Sequence, residues 1–203
     1  MNPGLTMSRS VLALCAAALL APAAFAANLL VNPSFEGPSV AVGGYTTFKL
    51  GDSIEGWTVV GDPGTVSLVS TDYTTNGATF PAHDRQQWLN LAGTGTIGHT
   101  GVQQTVATIT RRSYVLTWHQ GTMKNKICGR SWIDAYVDGQ VVGGAGIRGA
   151  DPIRLTWHKI SKTFEARSSS TTIEFRNASL DGTRCVGLDD VSLVLQPKDD
   201  AGE

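Results

Sequence analysis

The stretch that decides the fold lies near the end of the chain, where residues 186–195 read Val-Gly-Leu-Asp-Asp-Val-Ser-Leu-Val-Leu. Its odd positions form an apolar stripe with a period of two, made of Val191, Leu193 and Leu195. This period is typical of a β-strand with one buried face. Alternation predicts that Asp189 lies on the apolar face and Asp190 on the opposite face. A carboxylate that enters a core must be paired, hydrogen-bonded or bound to a metal, because burying it alone costs too much.

We expect this last strand to pair with the first apolar segment of the chain. Residues 28–37 read Asn-Leu-Leu-Val-Asn-Pro-Ser-Phe-Glu-Gly, which predicts a strand at 29–31 that ends in a turn at Asn-Pro. The two strands would then meet in one β-sandwich. The hypothesis is that Glu36, Asp189 and Asp190 close the seam between them, around a cation.

The start of the chain is expected to be a secretory signal peptide, residues 1–26, that is cleaved. Arg9 precedes an apolar run of about ten residues, and Ala24-Phe25-Ala26 fits a small-x-small cleavage site. The run is too short for a bilayer, which takes roughly 20 residues. The mature protein would be secreted, extracellular or periplasmic, with one domain over residues 27–196 and a polar tail at 197–203.

The charge balance argues against two classes of partner. The formal net charge is −1, from 16 basic and 17 acidic residues. A chain this close to neutral implies neither a nucleic acid nor an anionic membrane as partner. The oligomeric state is left open.

Two cysteines, Cys128 and Cys185, remain after the signal peptide. In an exported chain, two cysteines are expected to form a disulfide. The alternative is a metal ligand or a catalytic thiol, but neither cysteine has a His or Cys at ligand spacing. The disulfide is therefore the favoured interpretation.

Short alternating runs separated by turn residues predict an all-β sandwich or jelly roll. Glycine is abundant, at 23 residues, and almost no segment has a helical pattern. Besides 29–31 and the last strand, strands are predicted at 54–60, 65–69, 87–91, 102–106, 114–119, 132–137, 140–142, 157–164 and 171–175. The segments 37–52 and 72–84 are predicted to be long surface loops.

Aromatic residues that alternate away from the apolar faces suggest a sugar-binding surface, because pyranose rings stack on Trp and Tyr while polar neighbours bind hydroxyl groups. The candidates come from three predicted strands: Trp88 and Asn90, then His119, then Trp132, Asp134 and Tyr136. They share an exposed face if the three strands belong to one sheet. The alternative is that loops such as 37–52 cover this face and the aromatics form a second small core. Three other tryptophans follow apolar faces and are expected in the core: Trp57, Trp118 and Trp157.

A catalytic role is not expected. A glycosidase needs two carboxylates across a cleft, and alternation places Asp189 and Asp190 on opposite faces. The four histidines are scattered without ligand spacing: His83, His99, His119 and His158. No nucleophile elbow, zinc-protease motif or phosphate loop is present.

The motifs together resemble a known family. Their order is residues 28–36, then Ile-x-Gly-Trp at 54–57, Gln-Gln-Thr at 103–105, Tyr-x-Leu at 114–116, Thr-Thr-Ile-x-Phe at 171–175 and Leu-Asp-Asp-Val-Ser-Leu at 188–193. This order resembles the family named domain of unknown function 642 and its bacterial relatives, the choice-of-anchor C proteins. More broadly, it is similar to galactose-binding-like jelly rolls, which include many carbohydrate-binding modules.

The resemblance implies a secreted, non-catalytic β-sandwich that binds cell-wall or extracellular polysaccharide. Plant members carry two such domains in tandem, whereas this sequence shows one. The resemblance also implies a structural calcium ion at Glu36, Asp189 and Asp190, since calcium takes six to eight oxygen ligands. The simpler alternative is that Glu36 caps backbone amides and the Asp pair supports a turn. For function, the alternatives are a structural or adhesive matrix protein with a protein partner, and a glycoside hydrolase with an unrecognised site.

Overall fold

The computed structural model describes residues 27–61, 64–94, 99–179 and 182–197, so the predicted signal peptide and nearly all of the predicted tail lie outside it. These residues form fourteen strands and no helix. The strands are β1 Tyr45–Lys49, β2 Ser53–Ile54, β3 Trp57–Val60, β4 Thr65–Ser70, β5 Thr74–Thr75, β6 Ala78–Thr79, β7 Gln87–Asn90, β8 Gly101–Ala107, β9 Ser113–Thr122, β10 Arg130–Val137, β11 Gln140–Arg148, β12 Thr156–Glu165, β13 Ser170–Asn177 and β14 Gly187–Leu195. Within the same residues, no helix has the length and apolar character needed to cross a membrane.

Twelve of the strands form two six-stranded antiparallel sheets. Sheet one has the order β1-β4-β7-β14-β9-β12, and sheet two has the order β11-β10-β13-β8-β3-β2. The last strand, β14, lies inside sheet one, between β7 and β9. The prediction of an all-β jelly-roll sandwich is confirmed.

The core lies between the two sheets and follows the alternation of the strands. Trp57 and Trp118 are buried there, as predicted, and both contact Phe175, with ring centroids 6.3 and 5.3 Å away. Phe35 packs on Trp57 at 5.4 Å. Burial of this apolar surface is the main stabilising contribution to the fold. The prediction for Trp157 is wrong, because this side chain lies half-buried outside the main core.

A second, smaller core covers the outer face of sheet one. Its buried members are Val69, Phe80, Trp88, Met123, Cys128, Leu155 and Cys185, with Tyr73 and Trp157 packed against them. Cys128 and Cys185 form a disulfide with 4.7 Å between their Cα atoms, within the usual range. The predicted disulfide is therefore confirmed.

The first segment meets the last strand, but it is not itself a strand. The Leu29 N–H donates to the Leu193 carbonyl at 2.9 Å. The side chain of Asn28 replaces further backbone contacts, because its Oδ1 accepts the Leu193 N–H and its Nδ2 donates to the Val191 carbonyl, both at 2.9 Å. An amide side chain carries both a donor and an acceptor, so Asn28 can continue the ladder where the backbone turns away.

Three other segments differ from the sequence prediction. The predicted loop 37–52 contains β1, which pairs with β4 at the edge of sheet one. The predicted loop 72–84 contains the two-stranded sheet β5-β6. The predicted strand 54–60 is divided by a turn, since Glu55 and Gly56 have φ angles of 30° and 97°.

Candidate functional site

A β-bulge in β14 changes the face of the sheet on which Asp189 lies. The register with β9 shifts between Asp189 and Ser192, and Asp190 has a φ of 45°. A bulge adds one unpaired residue and reverses the alternation beyond it. Asp189 pairs with His119, so both lie on the outer face of sheet one. The predicted placement of Asp189 on the core face is therefore wrong.

Asp189 is nevertheless fully buried, because a loop folds over it. Its Oδ2 accepts the backbone N–H groups of His83 and Asp84 at 2.8 and 2.9 Å, and its Oδ1 accepts its neighbour's N–H, that of Asp190, at 2.7 Å. Burial raises the pKa of Asp189 to about 8, while the three N–H groups work against this rise because they favour the charged carboxylate. This carboxyl therefore anchors the 83–84 loop to the sheet.

Glu36 likewise accepts backbone N–H groups, from residues that follow the 83–84 loop. Its Oε1 accepts the N–H groups of Gln86 and Gln87, both at 3.1 Å. Calcium ligands must turn their oxygens toward a shared centre, whereas the bonded oxygens of Glu36 and Asp189 face backbone donors. Neither residue belongs to a metal-sized cluster among the described residues. The geometry thus does not fit calcium at Glu36, Asp189 and Asp190, and agrees with the amide-capping alternative.

The structure does bring together three groups that the sequence left apart. Asp190 Oδ2 lies 3.4 Å from Nδ1 of His83 and 3.1 Å from Nδ1 of His119. The two imidazole rings are stacked, with centroids 3.5 Å apart and planes 12° apart. Desolvation and the neighbouring His83 lower the pKa of His119, so its neutral form is favoured at pH 7. Sequence reasoning missed this cluster because its members are distant in sequence and meet only through the loop and the bulge.

The six predicted ligand-binding residues do not share one sheet, so the condition under which they would form a single exposed face is not met. β7 and β9, with Trp88, Asn90 and His119, belong to sheet one, whereas β10 belongs to sheet two. The two sets therefore lie on opposite outer faces of the sandwich.

Trp88 and Asn90 do point away from the main core, but they are not free surface groups. Trp88 is 1% exposed and donates its indole N–H to the Phe80 carbonyl at 2.9 Å. The amide of Asn90 donates to the Gly93 and Arg184 carbonyls. The alternative of a covered face with a second core is correct for these residues, although the covering segments come from 71–86, 123–128 and 150–155 rather than 37–52.

On sheet two, the predicted residues form a half-exposed polar and aromatic row. Trp132 donates its indole N–H to Asp134 Oδ1 at 2.9 Å. Arg130 lies over the Trp132 ring at 5.1 Å, and Arg176 lies over the Tyr136 ring at 5.0 Å. Cation–π contacts of this kind hold aromatic rings in place.

A cleft of about 570 Å³ opens beside the second core, on the outer face of sheet one. Trp88 and the disulfide form part of its floor, and Tyr45 and Tyr73 meet edge-to-face at 5.7 Å in its wall. Its polar lining includes Ser67, Asn76, Asn90, Thr94, Asn125, Lys126 and Arg184. Sequence reasoning missed Tyr45 and Tyr73 because both stand in segments that were predicted to be loops without an alternating face.

The fold is a β-sandwich of the kind found in carbohydrate-binding modules. The family described as "Protein of unknown function (DUF642)" matches residues 28–193, and the chain belongs to this family. The comparison with curated proteins gave no match.

Solved structures with similar folds share little sequence with the chain. TmCBM61 in complex with beta-1,4-galactotriose is 17% identical, with a TM-score of 0.50 over 84% of this chain and 99% of that one. The K2 cleaved adhesin domain of Lys-gingipain is 12% identical, with a TM-score of 0.48 over 81% and 97%. The CBM22-1 xylan-binding domain from Paenibacillus barcinonensis Xyn10C is 14% identical, with a TM-score of 0.45 over 77% and 97%.

Proposed function

We propose that the protein is a secreted, non-catalytic carbohydrate-binding protein that recognises cell-wall or extracellular polysaccharide through the cleft on sheet one. The observation that carries this proposal is the cleft itself. Its volume lies within the range of small-molecule sites, and its lining combines aromatic rings with a few polar groups, as such sites do.

The walls of the cleft offer an aromatic ring for the apolar face of a sugar and an amide for its hydroxyl groups. Tyr45 is 54% exposed, and its ring is held in position by Tyr73, which packs in turn on Phe80 at 5.4 Å. Such a ring can stack on the C–H face of a pyranose. The exposed amide of Asn76 stands at the same cleft and can bind hydroxyl groups.

The charge of the cleft favours an acidic glycan. Lys126 and Arg184 line it, and its described lining contains no Asp or Glu. A uronate carboxylate could pair with Lys126 or Arg184 there, and no acidic side chain of the described lining would compete for these cations. The same composition speaks against hydrolysis, since a glycosidase needs a pair of carboxylates at the scissile bond.

Two further observations support the proposal. The structure with bound galactotriose is a precedent for glycan recognition on this fold. The disulfide supports secretion, because such bonds persist in oxidising compartments. The row of Trp132, Asp134 and Tyr136 is a second face on which a glycan chain could stack, and the experiment separates it from the cleft.

The test is affinity electrophoresis through gels that contain neutral or acidic polysaccharides. We expect an acidic polymer to retard the wild type, and Tyr45→Ala or Lys126→Ala to relieve most of the retardation. Arg167→Ala removes an exposed cation outside the cleft lining and serves as the matched control. Relief by Trp132→Ala alone would move the site to sheet two.

Other outcomes decide the remaining alternatives. Free migration in every gel would refute glycan binding and favour the structural or adhesive matrix role with a protein partner. Release of reducing sugar from any of the polymers would overturn the non-catalytic assignment.

A further inference from the structure

We propose that His83, His119 and Asp190 form a binding site for one divalent transition-metal ion, with zinc as the best match. This site is independent of the proposed glycan function, because none of the three residues lines the cleft. It also differs from the calcium set that the sequence suggested, which shares only Asp190 with it.

Two of the three distances between the donor atoms match a tetrahedral zinc site. Zinc binds imidazole nitrogen and carboxylate oxygen at about 2.0–2.1 Å, which places neighbouring ligand atoms of a tetrahedron about 3.3 Å apart. Asp190 Oδ2 lies 3.4 Å from His83 Nδ1 and 3.1 Å from His119 Nδ1. All three donor atoms lie within 4.8 Å of one another.

Hydrogen bonding does not explain this arrangement. Nδ1 of His119 is buried and has no hydrogen-bond partner among the described residues, although the Asp190 oxygen is only 3.1 Å away. The short distance therefore lacks the directionality of a hydrogen bond. The Nδ1 atoms of both imidazoles lie beside the same carboxylate oxygen, and rotation of the exposed His83 side chain out of the stack would direct both lone pairs to one ion.

Asp189 holds two of the three ligands in place. It accepts the backbone N–H of His83 through Oδ2 and that of Asp190 through Oδ1, at 2.8 and 2.7 Å. The ligands are thus fixed by a buried neighbour, as the outer-shell partners of metal sites commonly are. We assign Asp189 as a positioning residue rather than a ligand, because its own oxygens face backbone donors.

The donor set selects the class of metal. Two imidazole nitrogens and one carboxylate oxygen suit zinc, copper or nickel, whereas calcium takes oxygen ligands alone. Three protein ligands leave a fourth tetrahedral position for water. His83 lies at the surface, with 33% of its side chain exposed, so an ion can reach the site from solvent.

The test uses the chain purified without a histidine tag and stripped with EDTA. Isothermal titration with Zn²⁺ should give one site per chain, and Co²⁺ should give the visible absorption of a tetrahedral complex. We expect His83→Ala and Asp190→Asn each to weaken binding at least tenfold. His158→Ala removes an exposed histidine on β12, outside the cluster, and should leave binding unchanged.

Several outcomes would overturn the proposal. One is that Zn²⁺ shows no saturable binding, and another is that His83→Ala binds Zn²⁺ with full affinity. A third is that the chain binds more than one equivalent weakly and that His158→Ala reduces this binding as much as the cluster variants do. Since His83 lies on an exposed loop, its loss should preserve the fold, which circular dichroism can verify. Calcium in excess should not displace Co²⁺, and displacement would indicate an oxygen-ligand site instead.

Discussion

The three backbone bonds of Asp189 predict a large loss of stability in Asp189→Ala. The substitution leaves the N–H groups of His83, Asp84 and Asp190 without their acceptor in a site that is closed to water. A buried donor without a partner costs roughly 1–3 kcal/mol. The free energy of unfolding should therefore fall by about 3 kcal/mol or more, a large part of the roughly 5–15 kcal/mol that a domain has.

Urea denaturation followed by tryptophan fluorescence measures this effect, in EDTA-treated protein so that metal binding does not contribute. The measurement is made near pH 4, where the raised pKa of Asp189 does not yet lower stability. Asp190→Asn is the matched control, because the Asp190 carboxylate is partly exposed and accepts no backbone N–H among the described residues. Asn also tolerates the positive φ at this position. The control should lose less than about 1 kcal/mol. Equal losses in the two variants would refute the anchoring role of Asp189.

Two further predictions concern the same part of the molecule. Replacement of Cys128 and Cys185 by Ser should lower the free energy of unfolding by up to about 4 kcal/mol, since the bridge spans 57 residues. Thiol titration of the denatured, unreduced wild type should detect neither cysteine, and two free thiols would contradict the bond. Because the pKa of Asp189 is raised to about 8 in the folded state, the folded protein keeps a proton that the unfolded chain releases above about pH 4. Stability should thus fall by up to about 1.4 kcal/mol per pH unit as the pH rises from 4 to 8, and the same slope in Asp189→Asn would exclude this cause.

The sequence predicted the buried face of a strand correctly wherever apolar and polar residues alternated without interruption. β9 and β10 follow the predicted faces, because Leu116 and Trp118 face the core on β9, and Ile133 and Ala135 on β10. Local pattern cannot show which sheet a strand joins, so it left open whether Trp88 and Trp132 share a face, and the structure places them on opposite ones.

The candidate sites depended on features that carry no local pattern. The bulge at Asp190 leaves Asp189 on the outer face of sheet one, where alternation predicted the core face. The metal cluster joins a loop residue, His83, to His119 on β9, and the backbone bonds of Asp189 create this contact. The cleft needs Tyr45 from an edge strand that lies in a glycine-rich segment without a clear period. In each case tertiary contacts, rather than residue preference, determine the position.

The seam between Asn28 and β14 has a consequence for protein engineering. Because the Leu29 amide bonds directly to the Leu193 carbonyl, the two ends of the sandwich lie side by side. Domains with adjacent ends tolerate circular permutation and insertion into a host loop. A short flexible linker could therefore join residue 196 to residue 28, with new ends opened at the exposed Asp138-Gly139 turn between β10 and β11. Such a permutant would present the cleft and the metal cluster on one face while its attachment point lies elsewhere.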